Sequence, residues 1–471
     1  MKDMEKSLEI ASKSGAEYCD IRFVINREEE IQVRGLNPEK VTSKMDQGYG
    51  MRVLYDGAWG FAAGQTPEKI AVKAVKVAKA SALAQKEKIV LADVEPYTDF
   101  WETPMKKDPF SVPIEEKISL LLDCSKALLE PEGVRVSRTS MKTQSQEKWF
   151  FSSEGARIRQ KIVYCGAMVS AVALDGGDMQ RRSYPTSFGG DHSQEGYEFI
   201  ESLNLFDHCQ KTGEEAVALL KAPNCPSGNM DVVLESSQLA LQVHESCGHP
   251  TELDRVLGYE ASYAGTSFLT PEKVGNFRYG SPHVTIVADS TCSKGLGTFG
   301  YDDEGVRACK TVLVDEGVFS GYLTSRETAY TMGEPSNGAM RAMGFNFIPL
   351  IRMTNINLMQ GDFTFEELLE DVKEGVYMET NRSWSIDDKR INFQFGCESG
   401  VLIERGELTT VVKNPSYTAL TPEFWGACDA VSKDWRLWGL PNCGKGEPPQ
   451  SMFVGHGTAP ARFRDIQVGV G

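Results

Sequence analysis

Two rhythms of hydrophobic and polar positions run through the first 222 residues, one helical and one strand-like. A 3.6-residue period predicts an amphipathic helix over Lys2–Ser14, and near-alternation predicts strands at Tyr18–Val24, Glu30–Val33 and Gly50–Tyr55. Asp56-Gly57 reads as a hairpin turn into Trp59-Gly60-Phe61. Pro67–Gln85, rich in Ala, Val and Lys, returns to the helical period. The order then recurs. A helix at Pro113–Leu129 precedes strands at Val134–Ser140, Glu147–Ser152 and Gly155–Ala173, and Gly196–Leu220 closes with a helix. Helix, antiparallel strands, helix, twice over, predicts two related structural units without a residue-by-residue repeat.

Ala222–Gly228, with two prolines and a glycine, marks the expected domain boundary. Beyond it the pattern is dominated by strands, at Met230–Leu234, Val284–Ala288, Thr311–Val314, Arg390–Phe395, Val401–Glu404 and Glu407–Val412. One helix, Thr364–Glu374, interrupts them. The expected class is α+β: residues 1–222 as helices packed on an antiparallel sheet, and residues 229–471 as a barrel-like domain rich in antiparallel sheet.

Composition narrows the function. At 471 residues, 41% hydrophobic and 25% charged, the chain reads as globular with room for two cores. A net charge of −16 argues against a broad basic face for nucleic acid. No apolar run reaches membrane-spanning length, Ala167–Leu174 being about the longest, and the charged start Met1–Lys6 has no signal-peptide character. Eleven cysteines, an odd number with no C-x-x-C pair, predict free thiols and a cytoplasmic location.

The chemistry concentrates at His244-Glu245-Ser246-Cys247-Gly248-His249, which takes two of the six histidines in the chain. Two imidazoles beside a carboxylate are how a metallohydrolase presents two ligands and a general base. The spacing H-E-x-x-x-H is one residue longer than the zincin motif, and positions five apart on a regular α-helix point away from each other. The helix must therefore break. Ser236 or Ser237 would cap a helix buried along Leu239, Ala240, Val243 and Cys247, and Gly248 would end it in the left-handed conformation. A π-bulge would serve equally.

Two histidines need a third ligand. Cys443, on the glycine- and proline-rich stretch Leu440–Gly446 expected to be a loop, is the first choice, with Lys445 near enough to favour a thiolate. Asp254 and Glu260 compete, whereas Cys247 falls on the apolar stripe and reads as a packed thiol. Gly439–Lys445 also matches the start of a P-loop, but Gly446 stands where Ser or Thr is needed, so its glycines read as turn residues. His456 could orient a ligand or sit solvated on a loop; Asp302-Asp303-Glu304 reads as a solvated turn; Trp435 and Trp438 could wall a peptide groove or pack in the core.

The H-E-x-x-x-H motif together with Asn442-Cys443-Gly444-Lys445 resembles the TldD/PmbA family, also called modulators of DNA gyrase. Further pieces in the same order are Gly48–Val53, Asp56–Phe61, Tyr301–Gly305, Asn337-Gly338 with Arg341, and Pro349 followed by Arg352-Met353-Thr354-Asn355. The motif is intact, so the chain is similar to the catalytic TldD type rather than to TldE/PmbA, which lacks it. Pro250 departs from the pattern, in which glycine is expected. The resemblance implies a metalloprotease acting on extended or unfolded peptides, in leader-peptide removal or small-protein degradation. It also implies metal ligands His244, His249 and Cys443, Glu245 as base, one divalent ion (zinc first), and dimerisation with itself or a TldE-like subunit. The competing expectation is a non-catalytic peptide-binding or assembly subunit with a structural metal.

Overall fold

The computed structural model describes residues 1–446 and 448–469; position 447 and the last two positions of the expected 229–471 domain lie outside the described residues. The first half is a single sheet with helices on one face. Its elements are α1 (Lys2–Lys13), β1 (Tyr18–Arg34), β2 (Asn37–Tyr55), β3 (Ala58–Gly64), α2 (Pro67–Ala82), β4 (Thr98–Glu102), α3 (Ile114–Leu129), β5 (Val134–Ser152), β6 (Arg157–Asp175), β7 (Asp178–Tyr184), β8 (Asp191–Ser193), α4 (Tyr197–Ser202) and α5 (Leu205–Lys221). Strands run β3-β2-β1-β5-β6-β4, with β7 and β8 also paired to β6. The two hairpins β1–β2 and β5–β6 meet through a β1–β5 ladder from Asp20↔Ser152 to Arg34↔Arg138. Each is flanked by its own helices and core: α1 and α2 over Cys19, Ile21 and Val53, and α3 and α5 over Met141, Cys165 and Val169.

The predicted strand pairs Tyr18–Val24/Glu30–Val33 and Val134–Ser140/Glu147–Ser152 are each one long strand. Their polar middles look like breaks because they are wet on one side. Asn26, Glu28, Lys142, Gln144 and Gln146 line a cavity of about 460 Å³ between the sheet and the second half. The helix predicted over Gly196–Leu220 is two, broken at Leu203-Asn204, where Asn204 takes φ 47°.

β9 (Gly228–Leu234) opens the second half and α6 (Ser236–Val243) follows it. Strands Glu374–Ile386, Gly228–Leu234, Ala461–Val468, Ser416–Leu420 and Asn392–Glu404 pair in sequence, and the first and last pair with each other, closing a five-stranded barrel. The mixed α+β class holds. The predicted strands Arg390–Phe395 and Val401–Glu404 are one, beginning at Asn392. Every residue of α6 is buried, against the barrel and the hairpin Arg436–Lys445/Gln450–Thr458. No helix among the described residues is long and apolar enough to cross a membrane.

Asp302-Asp303-Glu304 is a correction: the run is buried, not a solvated turn. The Asp303 carboxylate meets Lys148 Nζ at 2.6 Å and Arg22 Nη1 at 3.7 Å, and Glu304 meets Arg52 Nη1 at 3.1 Å. Arg52 also pairs with Asp20 at 2.6 Å. Asp303 and Glu304 come from the second half and their bases from the first, so this neutralisation fastens the sheet to the second half. Breaking a buried pair strands its partner. Asp303→Asn should cost about 3–5 kcal/mol of stability in denaturant unfolding. Glu9→Gln, which removes the exposed Glu9–Lys13 pair, should stay within about 0.5 kcal/mol. Equal effects would contradict this assignment.

Candidate metal centre

The carboxylate of Glu235 begins α6, accepting the Ser237 N–H at 2.7 Å, so it and not a serine is the cap. The helix does not stop at a left-handed Gly248, which is right-handed at φ −56°. Instead His244–Gly248 widens into a π turn, closed by the His249 N–H donating to the His244 carbonyl five residues back. A regular α-helix would leave the two imidazoles about 140° apart; the wider turn brings their ring centroids to 4.8 Å.

Pro250 fits for the same reason. It opens a 3₁₀ turn, His249–Thr251, and the Ser246 carbonyl that a residue-250 N–H would have used accepts the Tyr279 hydroxyl at 2.9 Å. The Ser246 hydroxyl accepts the Trp425 indole N–H at 3.0 Å. Gly248 sits against Met353, where a Cβ would come within 2.1 Å of the sulfur.

Cys443 lies on the strand Arg436–Lys445, not on a loop. The ladder slips between Leu440 and Cys443, a bulge at Pro441-Asn442 that turns the thiol inward. Its Sγ lies 3.8 Å from His249 Nε2, and donor atoms of His244, His249 and Cys443 lie within 4.8 Å of one another, all buried. Tetrahedral zinc with bonds of about 2.0–2.3 Å spaces its donors about 3.3–3.6 Å apart, so closure by roughly 1 Å at the widest pair suffices.

The proton inventory supports ligation. His456 Nδ1 faces the Ile356 carbonyl at 3.2 Å and donates there, which leaves its Nε2 to accept from His244 Nδ1 at 2.9 Å. His244 therefore keeps its lone pair on Nε2. Burial lowers its pKa to about 4 and holds that of His456 well below the usual imidazole value, so both rings are neutral near pH 7. His249 Nδ1 donates to Glu252 Oε2 at 2.9 Å, leaving Nε2 for the centre. Burial pushes the Cys443 thiol up, but the charge of Arg352, aided by the adjoining His249 ring, outweighs it and holds the pKa below normal.

Glu245 projects into a cavity of about 600 Å³ that also exposes His244, His249 and Cys443. Its carboxylate pairs with Arg390. Burial alone would raise the Glu245 carboxyl; the imidazoles, in so far as they are protonated, and the Arg390 guanidinium overcome this and leave it more acidic than usual.

The remaining sequence candidates sort cleanly. Asp254 pairs with Lys445 at 2.7 Å and Glu260 with Arg255 at 3.5 Å, so neither joins the donor set. Lys445 serves carboxylates, including Glu252 at 3.3 Å, rather than the thiolate. Cys247 is a packed core thiol. Gly439–Lys445 lies in a hairpin, without the strand-loop-helix of a phosphate-binding loop. Trp438 packs with its N–H on Ser236, and Trp435 with its N–H on the Leu358 carbonyl. Sequence reading missed Glu252 and Arg390. Glu252, three residues after His249, carried the readable spacing of a carboxylate partner to a ligating histidine; Arg390 carried none.

A buried two-histidine, one-cysteine donor set beside a cavity-lining carboxylate is a group that could hold a metal ion. Family models agree: the PmbA/TldA metallopeptidase domain 1 matches residues 19–82, the central domain 107–222 and the C-terminal domain 227–470. The chain belongs to the PmbA/TldD family of metallopeptidases. It is 34% identical to a metalloprotease of Methanocaldococcus jannaschii, over 97% of each chain. It is 24% identical to a protein of Saccharolobus solfataricus named zinc metalloprotease TldD homolog, over 99% of each. TldE from Thermococcus kodakarensis shares the fold at a TM-score of 0.74 and 16% identity, over 99% of this chain and 100% of that one.

Substituting Gly248 tests the packing that shapes the π turn. Gly248→Ala should destabilise by about 1–3 kcal/mol through overpacking on Met353. In Gly248→Ala/Met353→Ala the space is restored, so the double variant should lose less than the sum of the two single losses in denaturant titration. Strict additivity would show that the contact is not limiting.

Proposed function

We propose that the chain is a metal-dependent peptidase that hydrolyses peptide bonds in extended or unfolded peptides. The observation that carries this is the convergence of His244, His249 and Cys443 on one cavity with the Glu245 carboxylate. Among the described residues this donor set has three members, whereas a structural zinc site is normally closed by four. That favours catalysis over the assembly-subunit alternative. Nitrogen and sulfur donors suit zinc, and the Saccharolobus relative bears zinc in its name.

A divalent ion in this site supplies Lewis acidity, polarising the scissile carbonyl and acidifying water. Glu245 takes the proton of the attacking water and delivers it to the departing amine. Arg390 keeps that carboxylate ionised and turned toward the cavity. The His456–His244 and Glu252–His249 hydrogen bonds hold each ring with Nε2 facing inward. Leu440, Asn442 and Gly444 on strand Arg436–Lys445 border the same cavity, offering a strand edge to which an extended peptide can add. In this reading residues 1–222 form an α+β domain and 229–471 the catalytic domain. The protein works in the cytoplasm as a dimer, with itself or with a TldE-like subunit.

Elemental analysis of purified protein should find about one zinc per chain, and Cys443→Ser should lose most of it; equal metal in both would remove Cys443 from the site. Glu245→Gln should keep the metal while peptide cleavage falls by at least about 100-fold. Retained turnover in that variant would sink the mechanism. Glu252→Gln should weaken zinc affinity about 10- to 100-fold in chelator competition, through loss of ring orientation at His249.

A further inference from the structure

Two large aromatic side chains stand at the metal cavity and are not absorbed into any core. Phe188 is 40% exposed and Trp384 is 42% exposed, with ring centroids 5.0 Å apart and planes at 89°. Both line the cavity that holds the donor set, along with the apolar Leu241, Ile386 and Leu440. They arrive from opposite halves of the chain. Phe188 lies in the segment between β7 and β8, and Trp384 near the end of strand Glu374–Ile386.

Phe188 has φ 55°, in the left-handed region, followed by Gly189 at 103° and Gly190 at 77°. A bulky side chain in that region is strained, and such strain persists where the surroundings impose it, often at functional sites. A residue chosen only for the turn would be glycine or asparagine. Here the fold tolerates strain to hold an aromatic ring in the open.

We infer that Phe188 and Trp384, in edge-to-face contact, form one aromatic corner of a slot, lined further by Leu241, Ile386 and Leu440, that selects a bulky apolar side chain of the substrate beside the scissile bond. This rests on the peptidase reading and names its substrate class: peptides with an aromatic or large aliphatic residue next to the cleaved bond. Two rings set edge to face leave a corner in which such a side chain lies against a face of each. The continuity of the slot with the donor cavity, and its half-exposed rings, argue for a substrate group as its occupant.

The test uses peptides that differ only in having Phe, Leu, Ala, Asp or Lys beside the cleaved bond, on wild type and Phe188→Gly. Binding of the Phe and Ala peptides is measured in parallel by calorimetry on Glu245→Gln with and without Phe188→Gly. Wild type should prefer Phe or Leu over Ala by at least about 10-fold in kcat/KM, and Phe188→Gly should erase most of that ratio. Glu245→Gln should bind the Phe peptide more tightly than the Ala peptide, and Phe188→Gly should abolish the difference. The thermal midpoint of Phe188→Gly should be unchanged or higher, because the substitution relieves strain. A preference that survives Phe188→Gly overturns the slot. So does a large fall in the midpoint, which would make Phe188 a packing residue, or a fall in molecular mass by sedimentation, which would make it a subunit contact. Cleavage of no peptide with Phe188-dependent binding intact would remove the peptidase reading and leave the slot standing.

Discussion

The two histidines stand five positions apart, and that spacing is the constraint from which the rest of the centre follows. An α-helix cannot bring positions five apart onto one face, so the backbone spends one extra residue in a π turn. A π turn is intrinsically poor, and this one is held by its surroundings. The helix leading into it is buried on every side, Tyr279 and Trp425 bind its Ser246, Gly248 gives way to Met353, and Pro250 sits where no N–H is wanted. The motif is therefore more than six residues. It includes side chains from three distant segments that make a weak backbone geometry the stable one.

The same economy governs charge. A relay running from the Ile356 carbonyl through His456 to His244, and a second from Glu252 to His249, decide which nitrogen of each ring is free. Arg352 anchors the Cys443 carbonyl and favours the thiolate, while Lys445 neutralises Glu252 and Asp254 behind the histidines. Each buried charge has its counter-charge nearby, leaving the donor atoms as the groups turned toward the cavity.

Much of this was legible in the chain. Helices α1, α2 and α3 carry a clear amphipathic period, and the boundaries of β6 and β9 followed from pattern and punctuation. What failed did so for identifiable reasons. β1 and β5 were split because Asn26–Glu29 and Lys142–Gln146 look like loop when one face of a strand borders water. Asp302–Glu304 looked solvated because its bases, Arg22, Arg52 and Lys148, lie more than 150 residues away. The choice between a left-handed stop and a π turn at Gly248 was undecidable locally, since Tyr279, Met353 and Trp425 make it. Cys443 stood out by residue type and family resemblance, but the bulge that aims it is a property of register, which no local pattern records.

The prolines at 223 and 226 mark a joint in the chain, yet the energetics recognise no seam there. Asp303 and Glu304 on one side are neutralised by Arg22, Arg52 and Lys148 on the other. Phe188 from the first half completes the wall of a cavity whose donors all belong to the second. The second half cut free at that joint would carry a bare acidic knot and an open-sided cavity. The first half is thus a counterweight of charge and a missing wall rather than an appendage, and the two halves make sense as one heritable unit of folding.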